Sequence, residues 1–278
     1  MRIRVIDAFT DRPFAGNPAA VCLLDADGFP DETWMQRVAA EMNLSETAFA
    51  HPLPAGGDAD FALRWFTPVH EVNLCGHATL ATAHALAADG RVPGGTVRFR
   101  SRSGVLIAHT GGEGITLDFP AATPTVATAP DGMIEALGAK PDALYGTGAL
   151  GDLLAQFPDE ATVRGLTPDF GLMARITERD GIRGVIVTAA ADAGAPYDFV
   201  SRMFAPATLG SNPEDPVTGS AHTALAPYWS ARFGRDELTG LQVSKRTGLV
   251  ATAVRGDRVH LTGQAVTVLD GDFLVDPA

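Results

Sequence analysis

One pattern occurs twice in this chain and constrains its fold more than any other feature. Arg64-Trp65-Phe66-Thr67-Pro68 runs on to Gly76-His77-Ala78, and half a chain length later Arg202-Met203-Phe204-Ala205-Pro206 runs on to Gly219-Ser220-Ala221. In each copy a strand-like segment ends at a proline loop, and a helix opens on glycine and a polar residue. The repeat predicts two related halves facing one ligand across a cleft. The length of 278 residues suits two domains of about 120–150 residues, each large enough for its own core. We place them at residues 1–120 and 121–278, with Ala121 to Pro130 as linker and the final strand available to the first domain.

Charge narrows the partners. A net charge of −12 opposes nucleic acids and anionic membrane surfaces, both of which reward basic patches. The N-terminus, MRIRVIDAF, reads as a strand rather than a signal core, and no apolar run is long enough to span a bilayer. A cytoplasmic setting is the expectation. Cys22 and Cys75 are the two cysteines, without CxxC spacing, so neither a disulfide framework nor a zinc site is predicted.

The coarse elements follow from periodicity. Strands are predicted at Ile3 to Phe9, Ala20 to Leu24, Thr47 to His51, Phe61 to Phe66, Val97 to Phe99 and Ile115 to Phe119, with a turn at Asn17-Pro18. A helix capped by Asp31 carries Trp34, Val38 and Met42 along one face. Ala78 to Ala88 reads as a helix apolar all round, hence buried within a curved sheet. The second half repeats the plan: a short helix at Asp131 to Leu137, strands at Val185 to Thr188 and Phe199 to Phe204, and an apolar helix from Ser220 to Phe233. Pro227 is predicted to kink or end that helix. Strands at Leu241 to Lys245, Leu249 to Val254, Val259 to Thr262 and Ala265 to Leu269 complete it.

Three polar segments carry the chemistry. In Asn43-Leu44-Ser45-Glu46-Thr47 a carboxylate stands between a helix and an apolar strand. Glu46 there is either a strand-edge surface charge or a partly buried general base with a raised pKa. In Asn73-Leu74-Cys75-Gly76-His77 a glycine precedes an apolar helix, where free N–H groups and the helix dipole favour an anion. His77 is either a helix cap or a donor and proton carrier, and Gly76 either permits a turn or admits a ligand. Asn212 to His222 repeats this with Gly219 and Ser220 and adds Asp215 between two prolines. Turn formation and capping compete with function there too. Two such helix starts are expected to hold an acid without any Lys or Arg.

The segments FAGNPAAV (14–21), NLSETAF (43–49), RWFTPVHEVNLCGHAT (64–79) and RMFAP with EDPVTGSAH (202–222) together resemble the PhzF family of phenazine biosynthesis isomerases. The resemblance runs in order over nearly the whole chain. It implies an α+β, diaminopimelate epimerase-like fold: two pseudo-symmetric domains, each a mixed sheet rolled around a central helix. It also implies a small carboxylate-bearing substrate, Glu46 as acid/base, and Asp215 and His77 in support. Ser45, Gly76, Gly219, Ser220 and Asn17 then line or bind the substrate. No metal, flavin or pyridoxal phosphate is called for, and a homodimer is what the resemblance suggests.

Related racemases of this fold resemble a two-thiol device, whereas the second half here contains no cysteine. Proton transfer by glutamate is the expectation. Two rivals stay open: a hydrolase using Cys75 with His77 or His222, and a small-acid binding protein that keeps the fold without catalysis. Substrate-selecting side chains are expected in loops such as Ala143 to Asp152 and Pro206 to Asn212.

Overall fold

The computed structural model describes residues 1–112, 114–209 and 212–275. The chain divides into two compact units: Met1–Phe119 together with the segment from Thr262, and Pro120–Leu261.

The first unit contains β1 (Arg2–Ala8), β2 (Asn17–Leu23), α1 (Glu32–Met42), β3 (Glu46–Pro52), β4 (Phe61–Phe66), β5 (Glu71–Val72), α2 (Gly76–Ala88), β6 (Thr96–Ser101), β7 (Gly104–Gly111) and β8 (Gly114–Pro120). The second contains β9 (Thr125–Val126), α3 (Met133–Leu137), β10 (Ala143–Gly146), β11 (Asp152–Gln156), α4 (Glu160–Gly165), α5 (Phe170–Asp180), β12 (Gly184–Ala190), β13 (Phe199–Phe204), β14 (Glu214–Asp215), α6 (Gly219–Phe233), β15 (Glu237–Gln242) and β16 (Gly248–Arg255). The strand β17 (Arg258–Gly263) leads back to the first unit, where β18 (Ala265–Asp272) pairs antiparallel with β1.

The repeat seen in the sequence extends to the whole strand order. In the first unit β1 and β2 are antiparallel, β2 and β3 parallel, β3 and β4 antiparallel, β4 and β6 parallel, and β6 and β7 antiparallel. The second unit has the same signs in the same order through β10, β11, β12, β13, β15 and β16. Short β5 and β14 hang antiparallel on β4 and β13. Even the burial is copied: FALRWF and FVSRMF bury every residue but the arginine.

Each arginine of the repeat turns out to be structural. Arg64 holds Glu71 through Nε at 2.7 Å and Nη2 at 2.6 Å, and Arg202 holds Glu214 through Nε at 2.7 Å and Nη2 at 2.9 Å. Such planar forks fix geometry as well as charge. They clip β5 to β4 and β14 to β13, and so aim the chain toward the helix that follows.

Each central helix is buried as its composition requires. From His77 to Leu86, α2 buries almost every side chain and packs on β1, β2, β3, β7 and β18. The helix α6 packs on β15 and β16. Alternation on β12 serves both faces of its sheet: Ile186 joins Phe199, Leu225 and Trp229 beside α6, while Val185 and Val187 join Met133, Val163 and Met173 from α3, α4 and α5. On the first sheet, Met35, Val38 and Ala39 of α1 pack on Phe49 and Phe66.

Several expectations need correction. Asn17-Pro18 opens a strand rather than a turn; the preceding Phe14 and Gly16, at φ 66° and 65°, make the reversal. Pro227 does not end α6, which continues to Phe233. A proline cannot donate to the carbonyl four residues back, and here Ala122 N–H supplies that bond to Thr223 O at 3.1 Å. The strand placed at Leu241 to Lys245 lies earlier, at Glu237–Gln242, and the loop placed at Ala143 to Asp152 holds β10 and the start of β11. In the loop Pro206 to Asn212, Gly210 and Ser211 lie outside the described residues.

Candidate active site

The first unit gathers Asn17, Glu46, Cys75 and His77. Glu46 opens β3, next to Ser45 in the bend that follows α1, whose end is set by Asn43 in the left-handed conformation. Its side chain is 13% exposed, so neither a free surface charge nor a sealed one. His77 is the second residue of α2 and is buried. Glu46 Oε2 lies 3.2 Å from His77 Nε2, a close approach that is not aligned as a hydrogen bond.

The protonation of His77 follows from its surroundings. Burial pushes its imidazole down to about 3, so the ring is neutral and the contact with Glu46 is not an ion pair. Asn17 Nδ2 lies 3.2 Å and Cys75 Sγ 3.5 Å from Nδ1. With Nδ2 so placed, both neighbours are donors, which makes Nδ1 the acceptor and leaves the ring proton on Nε2, toward Glu46. Asn17 is wholly buried; it reaches the site through His77.

The ligand atoms of Glu46, Cys75 and His77 lie within 4.8 Å of one another, a set that could hold a metal ion. The thiol, however, faces Nδ1 while the carboxylate faces Nε2. An ion on one ring nitrogen would have the other ligand on the far side of the ring. Nor does the pair suit a nucleophilic thiol, because an imidazole held to about 3 is a weak base for it.

The second unit gathers Asp215, Thr218, Ser220 and two residues that sequence reasoning missed. Thr218 Oγ1 donates to Asp215 Oδ2 at 2.6 Å. Gln242, wholly buried at the end of β15, accepts from Thr218 N at 2.8 Å and donates to Asp215 O at 2.8 Å and Thr218 Oγ1 at 3.1 Å. It latches the loop that carries the carboxylate. The other missed residue is Arg183, which donates to Ser220 Oγ at 3.1 Å. His222 is turned inward: Nδ1 bonds Thr218 O at 2.8 Å, and burial pushes the ring down to about 4.

Position by position, Gly76 matches Gly219, His77 matches Ser220, and the helix caps Cys75 and Thr218 match. The structure brings Glu46, His77 and Asn17 together in one unit, with Ser45 and Gly76 as chain neighbours, and Asp215, Gly219 and Ser220 around one helix start in the other. A signal for Gln242 existed in the sequence only as a polar residue inside an apolar strand.

The phenazine biosynthesis-like PhzC-PhzF family model matches residues 6–271. An uncharacterized isomerase of Halalkalibacterium halodurans is 46% identical over 275 residues, 98% of each chain. A crystal structure of a PhzF-family protein from Enterococcus faecalis superposes with a TM-score of 0.88 at 40% identity, covering 99% of both chains. A probable proline racemase from Agrobacterium radiobacter superposes with a TM-score of 0.66 at 13% identity over 99% of this chain and 93% of its own, a likeness of fold alone. The architecture is therefore the α+β, diaminopimelate epimerase-like fold.

Proposed function

This chain belongs to the phenazine biosynthesis-like PhzC-PhzF family and is an isomerase, and from that premise we propose that it moves a proton between carbons of a small carboxylate-bearing acid, with Glu46 as general acid/base and no cofactor. The observation that carries this is the placement of Glu46 beside a neutral imidazole N–H at 3.2 Å, in a side chain only 13% exposed.

In the proposed reaction the Glu46 carboxylate takes a proton from one carbon and becomes a carboxyl group. The electron pair left behind spreads into an adjacent conjugated or carbonyl system. The carboxyl then returns the proton to a second carbon, so the product is an isomer and the enzyme is restored. A neutral His77 lies 3.2 Å from the carboxylate and is too weak a base to claim its proton, so the proton stays on Glu46 between the two carbons. Gly76, Gly219 and Ser220 hold the substrate's carboxylate, and Asp215 supports the transfer. The doubled motif supports this reading, because each half supplies a glycine and a polar residue at a helix start. The family resemblance also supports a homodimer, which sedimentation checks.

Incubating a panel of small amino and hydroxy acids in deuterated water tests the reading, because the Glu46 side chain is 13% exposed and its carboxyl can exchange the proton with solvent while it holds it. Mass spectrometry should find deuterium on carbon for at least one acid. No incorporation across the panel would favour a binding protein instead. Loss of turnover in Cys75→Ala, with Glu46 intact, would favour the thiol hydrolase.

A further inference from the structure

Arg183 stands one residue before β12, the place that Ser45 takes before β3. Its Nε donates to Asp152 Oδ1 at 2.8 Å and its Nη2 to Asp152 Oδ2. The Asp152 side chain is completely buried, whereas that of Arg183 is 38% exposed. Backbone bonds fix the base of the side chain: Arg183 N donates to Gly151 O at 2.8 Å, and Arg183 O accepts from Thr208 Oγ1 at 3.3 Å. The guanidinium is thus anchored from the inside, and the same Nη2 reaches Ser220 Oγ at 3.1 Å. Among the described residues Nη1 has no partner.

A guanidinium has donors and no acceptor. Ser220 Oγ must therefore accept in this contact, which leaves its own proton to point elsewhere. We propose that Arg183 is a positioning residue for Ser220: it sets the hydroxyl as a donor and offers Nη1 beside it, so that this end of the second unit takes a carboxylate in preference to a neutral amide. Asp152 balances the charge of Arg183, so what the pair supplies is oriented donors rather than net charge. Two parallel donors suit a planar, acceptor-only group. The inference rests on the isomerase reading for one point alone, that the anion is the substrate's own carboxylate. It departs from the expectation that the acid is held without an arginine.

Binding of a fluorinated benzoate and the matching benzamide, followed by fluorine NMR, tests this without turnover. Arg183→Lys keeps a cation beside Asp152, which protects folding, yet loses the fork that spans Asp152 and Ser220. Wild-type protein should prefer the benzoate. Arg183→Lys should lose about tenfold of benzoate affinity with benzamide binding and unfolding midpoint unchanged, and Glu46→Gln should bind both probes as wild type does. Undiminished benzoate affinity in Arg183→Lys, or a wild-type protein that does not discriminate, would overturn the proposal. Discrimination that depends on Arg183, in a protein that exchanges no carbon-bound proton, would sink the isomerase reading and leave this one standing.

Discussion

Glu46 and Gly184 occupy equivalent places in the two units. Each opens the strand that runs parallel to its predecessor, paired with Ala19 or Asp152, one residue before the position that faces Phe66 or Phe204. The acid/base of the proposed reaction thus lies inside the structural repeat, and its counterpart has no side chain. A Cβ at Gly184 would lie 2.4 Å from Met203 Cε and 2.8 Å from Phe204 O. Sterics close that place to a second carboxylate.

Gly184→Ala should therefore destabilise the protein by about 1–3 kcal/mol, the usual cost of overpacking, since the backbone carbonyl of Phe204 cannot swing aside. Urea denaturation of the variant measures it.

Gln242→Leu removes the latch on Thr218 and Asp215. Buried groups left unpaired cost roughly 1–3 kcal/mol each, and the loop carrying Asp215 loses its fixed position. The variant should show both a lower unfolding midpoint and slower exchange, whereas a merely structural loss would lower the midpoint alone.

Much of this was legible from local pattern. FALRWF and FVSRMF are short, largely apolar runs rich in aromatic residues between turn signals, and both strands span the residues expected, Phe61–Phe66 and Phe199–Phe204. Asp31 caps α1 through Thr33 N and Trp34 N, as an aspartate before an apolar face should. Other elements depended on distant chain. The helix α5 went unseen because Gly171 and the charged Thr177-Glu178-Arg179-Asp180 end obscure its period, although Asp169 caps it and Met173 and Ile176 are buried. Nothing local announces that Ala122 repairs the proline in α6, or that Arg183, just before β12, reaches Ser220. Site residues with a motif around them could be read; those recruited by tertiary contact could not.

The two arginine clips differ in their backup. Glu71 also accepts from Arg102 at 2.6 Å, while Arg202 also donates to Val163 O at 3.2 Å and Leu166 O at 2.8 Å. Arg202→Met should cost roughly 2–4 kcal/mol, below the limit for a fully buried pair, and more than Arg64→Met. Thermal unfolding of the two variants side by side gives the ranking.

Acid should weaken the fold through its buried imidazoles. His77 and His222 are held to about 3 and about 4 by burial, against about 6.5 in an unfolded chain. Below that unfolded value the denatured state takes up protons that the native state refuses, so stability present at neutral pH is lost as pH falls toward 4. Two such groups give a slope approaching about 2.7 kcal/mol per pH unit. Burial raises Asp152 against the pull of Arg183, and its earlier protonation in the native state offsets part of that loss. Urea midpoints at about pH 7 and about pH 5 measure the net effect.

Deuterium incorporation by Glu46→Gln, measured beside wild type and Cys75→Ala on an acid that wild type labels, tests the central claim most directly. Glutamine keeps the shape of the side chain and cannot accept the proton. The glutamine variant should label carbon about 10²–10⁴-fold more slowly while binding the fluorinated benzoate undiminished, and Cys75→Ala should label at close to the wild-type rate. Wild-type labelling by a folded Glu46→Gln protein would contradict the assignment of Glu46 as the proton carrier.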